Sequence, residues 1–321
     1  MVLLTVIIMT VNDFAGQLKR LDSALIFCHA RPDGDTLSCA FGLYFAFKRL
    51  GKRVDIVCAD PFPKVFEPCF PFCPSDKVDL SYDNFIAVDC PTLELLGSLS
   101  TQFTKKRSTF LIDHHLSNRR YAKNCLVDVR PACALIVYDV IKAMGVKIDT
   151  EIAQALLYGI CTDTGNFAHD DCDSKTFLAV SEILSHGASI SLAYDRMFRS
   201  QTKERAKLYA ETISKMRFYH DNKVAIIAVR QSDLEKFGLT PDVTDGFVDY
   251  TMTVLGVEVG ISMLEFRKEV FRISFRSKNV DCNQIAQTFG GGGHKKASGA
   301  VIAGIYEDVI DKLIYTCGNY L

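Results

Sequence analysis

The chain has 321 residues, 48% of them hydrophobic and 23% charged, which is the balance of a soluble globular protein with room for two ordinary domains. Its formal net charge of −1 argues against a broad basic surface for long duplex nucleic acid but leaves room for a small anionic substrate held by a few local charges. The 12 cysteines are scattered, and Cys28, Cys39, Cys58 and Cys161 sit inside apolar runs, the usage of reduced thiols in a cytoplasmic protein.

Met1 to Val11 is apolar but too short to span a bilayer, and no basic residue precedes it as in a secretory signal. It reads as the start of the first helix or strand, with Met9 an alternative start. No other stretch reads as a membrane span. Val11 to Leu21 has helical periodicity, and Ala24 to Cys28 is a short apolar run of the buried-strand kind. It opens into His29 and then Arg31-Pro32-Asp33-Gly34-Asp35. Leu37 to Leu50 reads as a buried helix stopped by Gly51, and Val54 to Cys58 as a strand. Pro61 to Pro74, rich in proline and phenylalanine, reads as an irregular but packed connection.

Strand, helix and strand recur at Phe85 to Val88, Leu93 to Leu99 and Phe110 to Ile112. The first of these strands leads into Asp89 and the second into Asp113-His114-His115. Ala132 to Met144 and Glu151 to Ile160 read as helices, the latter followed by Cys161-Thr162-Asp163-Thr164-Gly165. A further helix covers Ser174 to Ser185. This alternation predicts a mostly parallel sheet with helices on both faces in residues 1–190. Residues 191–216 read as a polar helical linker, with Lys203, Glu204, Arg205 and Lys207 on a solvated face. Residues 217–321 read as a smaller mixed α/β domain. Its strands are Val224 to Val229, Val257 to Leu264 and Val270 to Phe275, the last two a hairpin across Glu265 to Glu269. A final helix covers Glu307 to Ile314.

Four segments thus end in Asp or His at strand or helix termini, where ligands sit in open α/β sheets. Phosphoryl transfer needs its charge neutralised, its nucleophile ionised and the two aligned, and a pair of divalent ions does all three. Asp and His without cysteine favour Mn2+, or Mg2+, the imidazoles tilting the choice to Mn2+. An Asp-Gly-Asp loop alone is usually a turn; the four segments together point to one dinuclear centre.

The series His29-Ala-Arg-Pro-Asp33-Gly-Asp35, Val88-Asp89, Asp113-His114-His115 and Thr162-Asp163-Thr164-Gly165 resembles the DHH phosphoesterase superfamily. Gly290-Gly-Gly-Gly293-His294-Lys-Lys-Ala297-Ser298-Gly299 resembles the family's DHH-associated C-terminal domain. The resemblance covers essentially the whole chain. Within it, the chain looks like the two-domain proteins that degrade short oligoribonucleotides and dephosphorylate 3′-phosphoadenosine 5′-phosphate. It implies that His29, Asp33 and Asp163 hold one metal, Asp35 and His114 the other, and Asp89 bridges them. It also implies that Asp113 orients a histidine, that His115 faces the scissile phosphate, and that a hydroxide bridging the metals attacks in line.

The glycines Gly291, Gly292 and Gly293 are expected to offer backbone N–H groups as an anion nest. His294 and Arg276 are expected to meet substrate beside them, with the substrate held between the two domains. Two departures from the family pattern, Thr36-Leu37-Ser38-Cys39 and Ala132-Cys133-Ala134, bear on substrate preference, and His169 reads as a solvated loop residue. The partners implied are a short oligonucleotide or nucleotide, with no membrane and no long duplex; a homodimer is compatible. The competing readings are a cyclic or linear dinucleotide phosphodiesterase, a single-strand DNA exonuclease, and a nucleotide-binding regulator without catalysis.

Overall fold

The computed structural model describes residues 6–199 and 201–321. It separates into two compact units, Met1–Ser200 and Gln201–Leu321. Of the apolar N-terminus, residues 1–5 lie outside the described residues, and Ile7–Ile8 forms a short strand, β1.

The N-terminal unit continues through α1 (Val11–Arg20), β2 (Ser23–Phe27), α2 (Gly34–Arg49), β3 (Arg53–Val57), β4 (Phe85–Val88) and α3 (Ser100–Phe103). Then come β5 (Thr109–Asp113), β6 (Asn124–Val127), α4 (Cys133–Ala143), α5 (Thr150–Asp163), α6 (Ser174–Ser185) and α7 (Ile190–Phe198). Its six strands are parallel in the order β1-β6-β5-β4-β2-β3. Alternation sorts each strand between two faces. Ala24, Ile26 and Cys28 join the larger core with side chains of α1, α2, α4 and α5. Leu25 and Phe27 pack on the other face against Leu96, Leu99 and Phe103.

The strand order decides where a ligand can sit. From β2 the chain steps outward to β3, then crosses back over β2 to β4 and carries on to β5. Connections leaving the carboxyl ends of β2 and β4 therefore diverge, and a crevice opens between them. Asp33 caps α2 at this crevice, its Oδ1 accepting from the backbone N–H of Asp35 at 3.1 Å and of Thr36 at 3.0 Å, a contact worth about 1 kcal/mol.

Two elements differ from the sequence reading. Leu93–Leu99 is not a regular helix but tight 3-10 turns broken at Gly97, whose φ of 60° and ψ of −134° cannot continue a helix. The helical stretch expected over 191–216 is two helices: α7 buries Ala193 in the N-terminal core, and α8 (Lys203–Ser214) buries Leu208 in the C-terminal unit. The Pro61 to Pro74 connection is irregular and packed as expected, with Phe70 stacked on Phe41 at 4.5 Å.

After α8 the C-terminal unit runs β7 (Arg217–Tyr219), β8 (Val224–Val229), α9 (Gln231–Phe237), β9 (Val259–Arg267) and β10 (Val270–Ser277). It ends with α10 (Cys282–Thr288), β11 (Gly292–Gly293), β12 (Ala297–Ala303) and α11 (Tyr306–Gly318). The sheet order is β11-β12-β10-β9-β8-β7, mixed because β8 and β9 pair parallel while the other neighbours are antiparallel. One face packs on α10 and α11 through Ile285, Val309 and Leu313, the other on Leu208, Leu234 and Phe247. No single helix among the described residues is long and apolar enough to cross a membrane.

Candidate metal centre

Three strand ends and two helix ends deliver the Asp and His side chains to one place. His29 follows β2, Asp33 and Asp35 open α2, Asp89 follows β4, Asp113 ends β5 with His114 and His115 beyond it, and Asp163 ends α5. Potential donor atoms of His29, Asp33 and Asp89 lie within 4.8 Å of one another, and so do those of Asp35, His114 and Asp163. Asp89 stands between the two groups: its Oδ2 is 3.7 Å from His29 Nε2 and its Oδ1 3.4 Å from His114 Nε2. Asp163 Oδ2 lies 3.3 Å from His114 Nε2. The structure thus places Asp163 with Asp35 and His114, not with His29 and Asp33 as the resemblance implied.

Hydrogen bonds orient these side chains. His29 Nδ1 lies 2.8 Å from the Ala30 carbonyl and His114 Nδ1 2.8 Å from the Arg130 carbonyl. Donation from each Nδ1 turns each Nε2 toward the carboxylates, where it would offer its lone pair to a bound cation, the arrangement of a metal-ligating imidazole. Asp35 is fully buried and accepts from the N–H of Cys133 at 2.6 Å and of Ala134 at 3.0 Å, the first turn of α4. The segment Ala132-Cys133-Ala134 therefore supports the site through its backbone, and the hydroxyl it lacks is not needed for that bond. Thr36 Oγ1 donates to the Val88 carbonyl at 3.2 Å and accepts from the His29 N–H at 3.4 Å, tying the β2 and β4 ends together.

The cluster fits divalent cations. Asp89 Oδ1 is buried with no hydrogen-bond partner among the described residues, and Asp89 itself holds a left-handed φ of 52°, strain of the kind kept at functional sites. Burial, and then the charge of Asp89, raise the Asp35 carboxyl to about 7; burial and the charges of Asp35 and Asp89 raise Asp163 to about 10. Burial lowers the histidines, but the neighbouring carboxylates prevail and raise His29 to about 9 and His114 to about 10. Negative charge is crowded here, and cations relieve it.

Close packing of α5 on α2 holds the arrangement. A Cβ on Gly159 would fall 2.5 Å from Asp35 Oδ1 and 2.7 Å from Ser38 Cβ. Gly159→Ala is expected to displace Asp35, lowering stability by about 1–3 kcal/mol and weakening metal binding at least about tenfold. Thermal melting and a metal titration check it, and wild-type values in both would refute the packing role.

His115 differs from the other histidines. Its Nδ1 is 2.9 Å from Asp113 Oδ1, and its side chain is 40% exposed. Asp113 is fully buried and also takes a bond from Asn118 Nδ2 at 2.5 Å. Asn118 had no place in the sequence reading; only its nearness to the Asp-His-His run hinted at it. His169 is exposed, with its ring against Gly165, beside the end of α5.

In the C-terminal unit the glycine run is not an open nest. The N–H groups of Gly290, Gly291 and His294 donate to the Gln287, Ala286 and Ala297 carbonyls, and that of Gly293 to Asn283 Oδ1. Glycine is needed there for close approach instead: a Cβ on Gly291 would meet the Gly299 carbonyl oxygen at 2.1 Å. Gly292 pairs with Gly299 in the β11–β12 ladder, and the His294 side chain is exposed. Arg276 Nε donates to Asp249 Oδ1 at 2.8 Å. With Arg272, Ser262 and Ser274 it lines a polar recess of about 170 Å3 walled by Thr244 to Gly246. Arg272, Ser274 and Arg276 share one face of β10 by alternation, a period-two signal present in the sequence but overlooked.

Residues 23–160 match the model of the DHH family N-terminal domain, and residues 221–320 match the DHHA1 domain. The chain is 32% identical to the bifunctional oligoribonuclease and PAP phosphatase NrnA of Thermus thermophilus over 92% of its own length and 91% of that protein. The chain belongs to the DHH family. The Bacillus subtilis protein of the same name is 25% identical over 88% of this DHH-family chain and 90% of its own. The crystal structure of an exopolyphosphatase-related protein from Bacteroides fragilis superposes with a TM-score of 0.87 at 24% identity, covering 97% of this chain and 96% of that one, which shows the shared fold.

Proposed function

We propose that this DHH-family phosphoesterase uses two divalent ions, Mn2+ in preference to Mg2+, to hydrolyse oligoribonucleotides a few residues long and 3′-phosphoadenosine 5′-phosphate. The observation that carries the reading is the set of overlapping three-donor groups, His29-Asp33-Asp89, Asp35-His114-Asp163 and Asp89-His114-His115, centred on Asp89, whose buried Oδ1 has no hydrogen-bond partner among the described residues. The substrate class is supported by the names of the Thermus and Bacillus relatives. His29, Asp33 and Asp89 would hold one ion, and Asp35, His114 and Asp163 the other, with Asp89 shared. When bound, the ions supply positive charge to the phosphate oxygens and acidify water.

The protein's own groups do the rest. Asp113 fixes the His115 ring through Nδ1 and leaves Nε2 free for the leaving oxygen or the charge that develops on it. Asp33 and Asp35 are held by backbone N–H groups, so they keep their positions without a ligand. In the C-terminal unit, Arg272, Arg276 and the exposed His294 are the groups for a further phosphate, once Arg276 exchanges its Asp249 partner for it. The twelve free cysteines, most of them buried, suit a cytoplasmic location.

The test is a substrate panel with Mn2+: a 5′-phosphorylated diribonucleotide, 3′-phosphoadenosine 5′-phosphate, a cyclic dinucleotide and single-stranded DNA, read as product length. Mononucleotide from the first and phosphate release from the second are expected. Hydrolysis of none of the four would remove the enzyme reading, and cleavage of the cyclic dinucleotide alone would replace the substrate class.

A further inference from the structure

Asn118 is a half-buried residue in the loop after β5, and its side-chain amide is the hub of that loop. Its Nδ2 donates to Asp113 Oδ2 at 2.5 Å and reaches the Cys90 carbonyl at 3.4 Å. Its Oδ1 accepts from the Arg120 N–H at 2.6 Å, and its own N–H donates to the His115 carbonyl at 3.1 Å. Cys90 directly follows Asp89, the residue held at a φ of 52°. The amide therefore joins the loop after β4, which carries Asp89, to the loop after β5, which carries Asp113, His114 and His115.

We infer that Asn118 is a positioning residue that locks Asp113 and thereby aims the His115 ring at the leaving oxygen. Asp113 divides its two oxygens between two partners: Oδ1 lies 2.9 Å from His115 Nδ1, and Oδ2 takes the Asn118 amide. The remaining contact of Asp113 Oδ2 is the His115 backbone N–H at 3.4 Å, at the long end of the hydrogen-bond range. Without Asn118 the carboxylate keeps, among the described residues, only hydrogen-bond partners on the residue it is meant to orient, so it turns with the ring instead of fixing it. Outer partners of this sort typically change activity by about 10–100-fold while the groups they support stay in place.

The inference rests on the phosphoesterase reading above. In that reaction a water oxygen bonds to phosphorus and the bond from phosphorus to the sugar oxygen breaks, its electron pair staying on that oxygen. A proton from His115 Nε2 completes the sugar hydroxyl, and the proton lost by the attacking water passes to solvent. A nitrophenolate leaves without needing a proton, so the two kinds of ester separate aim from scaffold.

The experiment compares wild type with Asn118→Leu on a diribonucleotide and on a nucleoside p-nitrophenyl phosphate diester, with bound Mn2+ counted on the same samples. Asn118→Leu is expected to lower kcat about 10–100-fold on the diribonucleotide but less than about threefold on the nitrophenyl ester, with KM and bound metal unchanged. Equal losses on both esters, loss of bound metal, or no loss at all would overturn the inference. Asn118→Asp keeps the residue's size while setting a carboxylate against Asp113, and the same split is expected of it if the leucine variant fails to fold. If neither variant folds, Asn118 is a structural residue and the inference falls. A wild-type protein inactive on both esters would instead remove the phosphoesterase reading.

Discussion

Asp89→Asn is expected to lower kcat/KM on a diribonucleotide by at least about 10³-fold, about 4 kcal/mol of transition-state stabilisation. Asp89 is the residue common to both sides of the centre, 3.7 Å from His29 and 3.4 Å from His114. The substitution keeps the side chain's shape and removes its charge, so in the proposed two-ion centre both ions would lose a shared anionic ligand at once. Asparagine also accepts a φ of 52° more readily than aspartate, so the backbone has no reason to move. Burial raises the Asp89 carboxyl above its ordinary range, with the charge of Asp33 adding to it, and the metal-free variant should therefore melt no lower than metal-free wild type. Lost activity with an undiminished melting temperature locates the effect in the metal site. A variant that keeps more than about a tenth of wild-type activity would take the bridge role away from Asp89.

Chelating the metal should abolish hydrolysis and make the stability of the protein fall as pH rises. A histidine whose folded pKa is raised contributes stability that is full below its unfolded value and is lost as pH climbs through the folded one, about 9 for His29 and about 10 for His114. A carboxyl raised by burial carries a cost that begins above its unfolded value and grows until pH passes about 7 for Asp35 and about 10 for Asp163. Both effects have the same sign. Between pH 6.5 and 9 the chelated protein should lose about 1.4 kcal/mol per pH unit for each net proton that the folded state retains over the unfolded state. Metal binding displaces those protons and strengthens as pH rises; an ion at a hundred times its Kd adds about 2.7 kcal/mol. The gap in melting temperature between metal-loaded and chelated protein should therefore widen from pH 6.5 to pH 9. A constant or narrowing gap would contradict the electrostatic account of the site.

Much of the N-terminal fold could be read from residue order because its signals are local. Apolar runs such as Phe85 to Val88 and Phe110 to Ile112 have one use in a parallel sheet, and each ends where a carboxylate appears. The pairing of donors is another matter. Asp163 joins Asp35 and His114 because α5 packs against α2 at Gly159, and no spacing along the chain encodes that approach. Leu93 to Leu99 has helical composition, yet Gly97 breaks it with a φ that only the folded backbone reveals. The glycine tail misled for a similar reason. Successive glycines suit an anion nest and a tight hairpin equally well, and pairing with β12 decides for the hairpin. Arg272 and Ser274 were open to discovery by counting every second residue from Arg276, and Asn118 only by seeing its amide on a buried carboxylate.

In the proposed mechanism two divalent ions, held by donor groups that meet at Asp89, drive hydrolysis of short oligoribonucleotides. The most direct measurement titrates metal-free protein with Mn2+ and follows, on the same samples, ions bound per chain and mononucleotide released from a 5′-phosphorylated diribonucleotide. Activity is expected to appear as the sites fill and to level off at two ions per chain. Full activity with one ion or none, or no mononucleotide with both sites filled, would contradict it.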